Sequence, residues 1–395
     1  MKKLLFLCHE QFWPLTGGGT SGNFYIMKYF SQNGFEVTIS TPLYQDVTFL
    51  KNEYGFKFEP FSPYYLSRKV RFRMLKYMLY GFLSIFHVMR LLSRKRYDVI
   101  YINNVIVALP FFLIKPFIKT PVTIRFTDFL SVFLSEHKKF PKFFINLLKF
   151  YEFRMASIFD RVFVITDAMK RELCRKKHVQ EGKVVAILDG VNESVFNVES
   201  LPQGNRERVR KDLNVPLDAK LVIFHGTVEP HHGEDIIAGL IRQILEKRKD
   251  IHVLLIGISR GSGYNKIKQA LKDDPRAHFL DFVEYHKIPA YIDASDVGMV
   301  PYPKSKSMDI ILTLKLLEYL SLGVRSVTFD SEGIKEAFGK YDFVRTSRTT
   351  EEFINNILVM LEMGRSKEAA DLIRRDFTWD RVAQRMRQEF INLPI

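Results

Sequence analysis

Cysteine is almost absent from this chain: Cys8 and Cys174 are the only two in 395 residues. Two cysteines so far apart make no disulfide framework and no zinc spacing, and they suit a reducing cytoplasm. Long apolar runs are missing as well. The nearest, Tyr77 to Met89, contains His87 and falls short of the ~18–20 residues that a spanning helix needs. The apolar stretch at the start stops at His9-Glu10, short of the about 7–15 residues of a signal-peptide core. These absences predict a soluble or peripheral protein. No RNA- or DNA-binding motif is present either, despite a net charge of +15.

What is there is apolar substance in alternating pieces. Hydrophobic residues make up 47% of the chain, enough for sizeable cores, and the length suggests two or three domains. Strands are expected at Lys3–Cys8, Phe35–Ser40, Asp98–Ile102, Val122–Phe126 and Arg161–Thr166, with helical patterns between them. One such pattern runs from Asn23 to Asn33 and is closed by Gly34. Residues 197–220 turn polar and contain proline and glycine, as a linker would. The alternation then restarts at Leu221–Gly226, His252–Gly257, Asp296–Val300 and Ser326–Asp330. Strands separated by helices mean βαβ units and a mainly parallel sheet. The expected fold is α/β: two Rossmann-like domains facing across a cleft that serves as the default site.

Two segments carry chemistry. Thr16-Gly17-Gly18-Gly19-Thr20-Ser21-Gly22 follows a strand and precedes a helix, where glycines let backbone N–H groups approach a phosphate. Gly17, Gly19 and Gly22 satisfy G-x-G-x-x-G. A dinucleotide site also wants an acid after the second strand, and Ser40-Thr41-Pro42 has none, which speaks against NAD. A tight βα turn explains the loop equally well. The second segment, Thr313 to Gly323, reads as a helix closed by glycine. Lys315 near its start and the helix dipole together would hold an anion. Glu318, three residues on, shares that face and could accept both hydroxyls of a ribose. A surface ion pair between the two is the plainer account.

Taken together, these segments resemble glycosyltransferase family 4, the retaining enzymes with the two-domain GT-B fold. The resemblance covers nearly the whole chain. It rests on the strand–glycine–helix–Gly34–strand opening and on Val164–Lys170 followed by Val185–Phe196. It continues through Phe224-His225-Gly226, His231–Asp235, Phe282-Val283 before Ile288–Tyr291, Lys315–Gly323 and Phe377-Thr378-Trp379. The resemblance implies an acceptor-side domain over 1–198, a nucleotide-sugar donor domain over 199–376, and a C-terminal helix over 377–395 that packs back on the first domain. It implies that Gly18 and Gly19 approach the donor phosphates and that Thr313, Leu314 and Lys315 form the diphosphate-binding helix start. Glu318 would bind the ribose, and the Val283 backbone would meet the base. The donor would be a UDP- or GDP-linked sugar, with no permanently bound cofactor.

The chain departs from the family pattern in places. The first of two glutamates eight apart is Ile310 here, with Asp309 one place off. The arginine after the strand is Thr227, and its lysine partner is His232; both remain candidate phosphate contacts. The His-Asp pair after a first-domain strand is Thr127-Asp128, so Asp128 is either an acceptor-positioning carboxylate or a helix cap. Leaving-group charge would be met by the helix start and Lys315, with His232 or Arg260 as further donors. Asp293 and Asp296 lie around a helix end and read as capping residues, so no metal site is expected.

The charge is one-sided. Residues 1–200 carry 29 Lys/Arg against 16 Asp/Glu, and the remainder 30 against 28. Residues 68–96 and 138–154 mix these cations with aromatic and apolar residues, the composition of an interfacial segment on anionic lipid. That predicts a peripheral protein on the inner face of the cell membrane. Its acceptor would be polyprenyl-linked, a glycolipid or another saccharide, with His9, Trp13 and Tyr25 on the acceptor side. A nucleotide-sugar epimerase and a non-catalytic scaffold or sugar-nucleotide sensor are the competing readings.

Overall fold

Strands covered by helices on both faces must be apolar along their whole length. The first strand, β1 (Lys2–Cys8), is buried from Leu4 to Cys8. It pairs in parallel with β2 (Phe35–Ser40) on one side and β4 (Val99–Asn103) on the other. The computed structural model describes all residues except 16–17, 44, 63–72, 137–139, 176–177, 229–232, 258–261 and 394–395. The chain forms two compact units, Met1–Asp189 with Trp379–Ile395, and Gly190–Thr378.

Unit 1 holds a seven-stranded sheet in the order β3-β2-β1-β4-β5-β6-β7. Its remaining strands are β3 (Lys57–Phe58), β5 (Val122–Phe126), β6 (Arg161–Val164) and β7 (Val184–Ala186), every pair parallel. Unit 2 holds a six-stranded parallel sheet in the order β10-β9-β8-β11-β12-β13. These strands are β8 (Lys220–His225), β9 (Ile251–Ile256), β10 (Ala277–Leu280), β11 (Val297–Val300), β12 (Arg325–Phe329) and β13 (Val344–Ser347). The strand order reverses once in each sheet, between β1 and β4 and between β8 and β11.

The first helix begins at Gly18 and runs to Gln32, so Gly18, Gly19 and Gly22, expected in a loop, lie in its opening turns, while Thr16 and Gly17 lie outside the described residues. Gly22 serves packing: a Cβ there would stand 2.7 Å from the Trp379 ring. Gly34, at φ +91°, carries the turn into β2 as expected. The helix Trp379–Ile391 returns to unit 1 and puts the Phe390 ring against Phe30, Tyr101 and Phe163, with centroids 5.2–5.8 Å apart. Arg387 Nε adds a bond to the Asn33 carbonyl at 3.1 Å.

The chain leaves unit 1 after Asp189, not near residue 199. The stretch read as a linker contains a helix, Asn205–Asp212, inside unit 2. Its charged sequence is held by buried Arg210, which donates to the Ala219 and Ala294 carbonyls and to Asp296 Oδ2 at 2.7–3.0 Å.

Candidate functional site

In open parallel sheets, ligands bind beyond the carboxyl ends of the strands where the order reverses. In unit 2 that point lies between the ends of β8 and β11, at His225-Gly226 and Pro301-Tyr302. The helix Leu314–Ser321 is fixed there by Tyr319, which is fully buried. Its ring fits because residue 298 of β11 is glycine; a Cβ at that position would be 2.4 Å from it. Tyr319 Oη accepts the His225 backbone N–H at 3.2 Å, tying helix to strand end.

Lys315 lies directly across Gly226. A Cβ on that glycine, whose φ is +112°, would be 2.3 Å from Lys315 Cε and 2.8 Å from Nζ. The ammonium sits 5.1 Å from the centre of the Tyr302 ring, a cation–π distance. Thr313 begins the helix in extended conformation with no side-chain cap bond, and its buried Oγ1 has no hydrogen-bond partner. Uncapped first-turn N–H groups, that hydroxyl and the lysine give one helix start the chemistry of an anion site. Leu314 contributes its backbone to the same turn.

Glu318 follows one turn later and is 5% exposed. Its Oε1 accepts from Tyr285 Oη at 3.0 Å, and its Oε2 lies 3.2 Å from His225 Nε2. The latter pair is not aligned as a hydrogen bond. The plain surface ion pair of Lys315 with Glu318 does not form: the lysine turns to Gly226 and Tyr302, the carboxylate to Tyr285 and His225. Sequence reasoning passed over His225 and Tyr285 as site residues. The available signals were a polar residue ending the otherwise apolar β8 and a tyrosine two places beyond Val283.

Of the other unit 2 candidates, Thr227 is half-buried beside the same strand end, and its carbonyl accepts from Tyr302 Oη at 3.5 Å. Val283 is half-buried on the loop after β10, next to exposed Phe282. Asp309 does not replace the glutamate missing at Ile310. Its Oδ1 accepts the Glu332 N–H at 3.1 Å, at the start of the helix Glu332–Phe338. Asp293 binds Asn205 and Arg365, and Asp296 binds Arg206, Arg210 and the Leu221 N–H, so both carboxylates are structural. Among the described residues no group of three or more His, Cys, Asp or Glu is placed to hold a metal. His232 and Arg260 lie outside the described residues.

In unit 1, Gly18 and Gly19 open the first helix, and a Cβ on Gly19 would be 3.0 Å from Glu10 Oε2. A carboxylate of the chain itself therefore stands beside that turn. At the point of strand reversal, Asn103 Nδ2 donates to Asn23 Oδ1, and Asn23 Nδ2 to Cys8 Sγ at 3.5 Å. Burial pushes the Cys8 thiol far up, so it stays neutral. Asp128 follows β5. The cap of the next helix, Leu130–Glu136, comes not from Asp128 but from Glu152, which accepts from Ser131 N at 3.1 Å and from Ser131 Oγ. Burial raises the Glu152 carboxyl to about 7. Surrounding protein raises the Asp128 carboxyl too, although the residue keeps an exposed face. His9 is buried against Tyr77 and Tyr80, Trp13 packs on Phe24 and Phe49, and Tyr25 is half-buried.

Two doubly wound parallel sheets in succession, with an uncapped helix start at the second reversal point, match the GT-B fold. The family model Glycosyltransferase Family 4 matches residues 16–195, and Glycosyl transferases group 1 matches 219–363. The two matches, each over less than half of the chain, together support a glycosyltransferase of the family 4 type. It is 27% identical over 138 residues to D-inositol 3-phosphate glycosyltransferase of Streptomyces avermitilis, covering 34% of this chain and 29% of that one. The chain spans about a quarter to a third of the length of the first curated relatives it matches. Among solved structures, sucrose-phosphate synthase of Thermosynechococcus elongatus superposes with a TM-score of 0.77 at 15% identity, covering 99% and 98% of the two chains. Anabaena HepE, solved with UDP and glucose, gives 0.70 at 16% identity over 100% of both.

Proposed function

We propose that this chain transfers a sugar from a nucleoside-diphosphate sugar, UDP- or GDP-linked, to an acceptor carried on a membrane lipid. The observation that carries the reading is Lys315 laid across Gly226, with Glu318 one helical turn on. In this reading the diphosphate lies at the Thr313–Lys315 helix start. As the sugar–phosphate bond breaks, negative charge grows on the departing diphosphate, where the helix dipole and the ammonium stabilise it. No metal is required of the chain for that step. Glu318 takes the ribose and the Val283 backbone the base; Thr227 lines the phosphate side. Asp128, free of a capping role, orients the acceptor hydroxyl. Retention of configuration is the expectation that goes with the family.

Membrane attachment draws support from unit 1. In the helix Arg73–Arg94, Met78, Phe82, Phe86 and Met89 are exposed at helical spacing, as are Phe143, Leu147 and Phe150 in the helix Lys142–Ile158. Phe112, Leu113 and Phe117, which sequence reasoning did not include, add to them. The elements adjoin: a Cβ on Gly81 would be 3.2 Å from the Ile106 carbonyl oxygen, and Tyr151 Oη donates to the Val105 carbonyl at 3.1 Å. Exposed Arg90, Arg94, Lys95, Arg96, Lys119 and Lys142 supply cations for an anionic lipid surface at the inner face. Residues 68–72 and 138–139 of the expected segments lie outside the described residues. No described helix is long and apolar enough to cross a membrane.

Thermal-shift titration with UDP, GDP, ADP and NAD, on the parent and on Glu318→Ala, tests the donor half. A ligand at 100 times its Kd adds about 2.7 kcal/mol of stability. One nucleoside diphosphate should stabilise the parent and not the variant. No response from the parent would leave a scaffold, and conversion of the nucleotide sugar without acceptor would leave an epimerase.

A further inference from the structure

The carboxylate assigned above to the ribose is already engaged. Glu318 Oε1 takes the Tyr285 hydroxyl at 3.0 Å, while the residue is only 5% exposed. A carboxylate has lone pairs to spare in principle. Here burial leaves little room for two further hydroxyls while the phenol stays in place. The opposite oxygen faces His225 Nε2 at 3.2 Å, a buried nitrogen whose hydrogen-bonding capacity is unspent.

The two partners differ in how firmly they are held. His225 ends β8, is fixed through its own N–H to Tyr319 Oη, and packs its ring edge-on against the Tyr319 ring at 5.1 Å. Tyr285 lies in the short 3-10 turn Tyr285–Lys287 after β10, two residues from Val283 and three from exposed Phe282. Its ring meets Phe196 edge-on at 5.3 Å. A strand end does not move easily; a surface turn beside the base-contacting segment can.

We propose that Tyr285 is a positioning residue that exchanges with the donor's ribose: its hydroxyl holds Glu318 Oε1 in the unliganded chain and yields that oxygen to a ribose hydroxyl on binding. The proposal rests on the donor-site reading above. His225 stays in place throughout. Because the exchange must precede tight binding, the engaged state lowers the apparent affinity for any ligand that claims Glu318. Nucleotides without a ribose diol make no such claim and do not meet this competition. Tyr285 thereby tempers affinity for the donor, since a ribose must replace a hydrogen bond and not merely add one.

The experiment is isothermal titration of the full chain and of Tyr285→Phe with UDP and with 2′,3′-dideoxyuridine diphosphate, or the guanosine pair if thermal shifts select GDP. The phenylalanine keeps the ring against Phe196 and removes only the hydroxyl. Affinity for the ribonucleotide should tighten about five-fold, the worth of one net hydrogen bond. Affinity for the dideoxy ligand should stay unchanged. Weaker or unchanged ribonucleotide binding would overturn the exchange, and so would equal changes for both ligands, which mark a purely structural role. Glu318→Ala separates the two claims. If it binds the ribonucleotide as the parent does, or if the parent binds none, the donor-site reading falls and the exchange with it. If it loses binding while Tyr285→Phe shows no gain, the site stands and only the exchange falls.

Discussion

A methyl group on Gly226 would stand 2.3 Å from Lys315 Cε and 2.8 Å from its Nζ. The obstacle is the far end of a flexible side chain, so the lysine swings aside and the collision costs little by itself. An alanine at φ +112° is strained by about 1–3 kcal/mol, which lowers thermal stability. The swing removes the ammonium from the end of β8. A hydrogen bond to a charged group is worth roughly 1.5–3 kcal/mol, so diphosphate affinity should fall about 10- to 150-fold. Isothermal titration of UDP into Gly226→Ala, Lys315→Met and the double variant measures this. The methionine keeps the apolar stem and drops the charge. Each single variant should weaken binding to a similar degree, and the double should add little, because both remove the same contact. A folded Gly226→Ala protein that binds UDP within about two-fold of the parent would refute the placement of Lys315.

Other expectations follow from particular groups. Glu152 is buried with its carboxyl raised to about 7, above its ordinary 4.5. The folded state keeps the proton where the unfolded state has lost it, so the parent should lose about 3 kcal/mol of stability as pH rises from 4.5 to 7. Thermal melts of Glu152→Gln across that window should lack this slope. Arg210→Ala leaves Asp296 and four carbonyls short of a buried donor, and denaturant melts should show a loss of about 3–5 kcal/mol. Phe390→Ala empties the pocket among Phe30, Tyr101 and Phe163, and should cost about 3–5 kcal/mol by the same assay. Phe82→Glu with Phe86→Glu places charge on the exposed stripe. Flotation with vesicles rich in anionic lipid should lose the protein, while UDP binding is unchanged.

The central strands were legible because burial on both faces makes them continuous apolar runs: Phe35–Ser40 and Val122–Phe126 fall where the sequence puts them. The outer strands were not. β10 is only half-buried throughout, and β13 is buried only at its two ends, so neither presents an apolar run. The helix Asn205–Asp212 was hidden because six of its eight residues are charged and its hold comes from carboxylates and carbonyls mostly far along the chain. The start of the first helix was misplaced because local propensity counts glycine against a helix, while the Trp379 ring, distant in sequence, favours it at position 22. In the site, Lys315 and Glu318 could be named from spacing alone. Their partners could not, since Gly226, Tyr302, His225 and Tyr285 arrive from other strands and loops.

The return of Trp379–Ile391 to unit 1 sets an order of events during synthesis. Unit 2 is one unbroken stretch, Gly190–Thr378, while unit 1 needs a helix made after all of it. At about 5–20 residues per second, the first unit waits on the order of ten to forty seconds for its final piece. During that interval the faces of Phe30, Tyr101 and Phe163 that Phe390 covers remain open to solvent and to other nascent chains. The half of the molecule translated first is thus finished last, and a ribosome stalled anywhere in unit 2 exposes an aromatic surface.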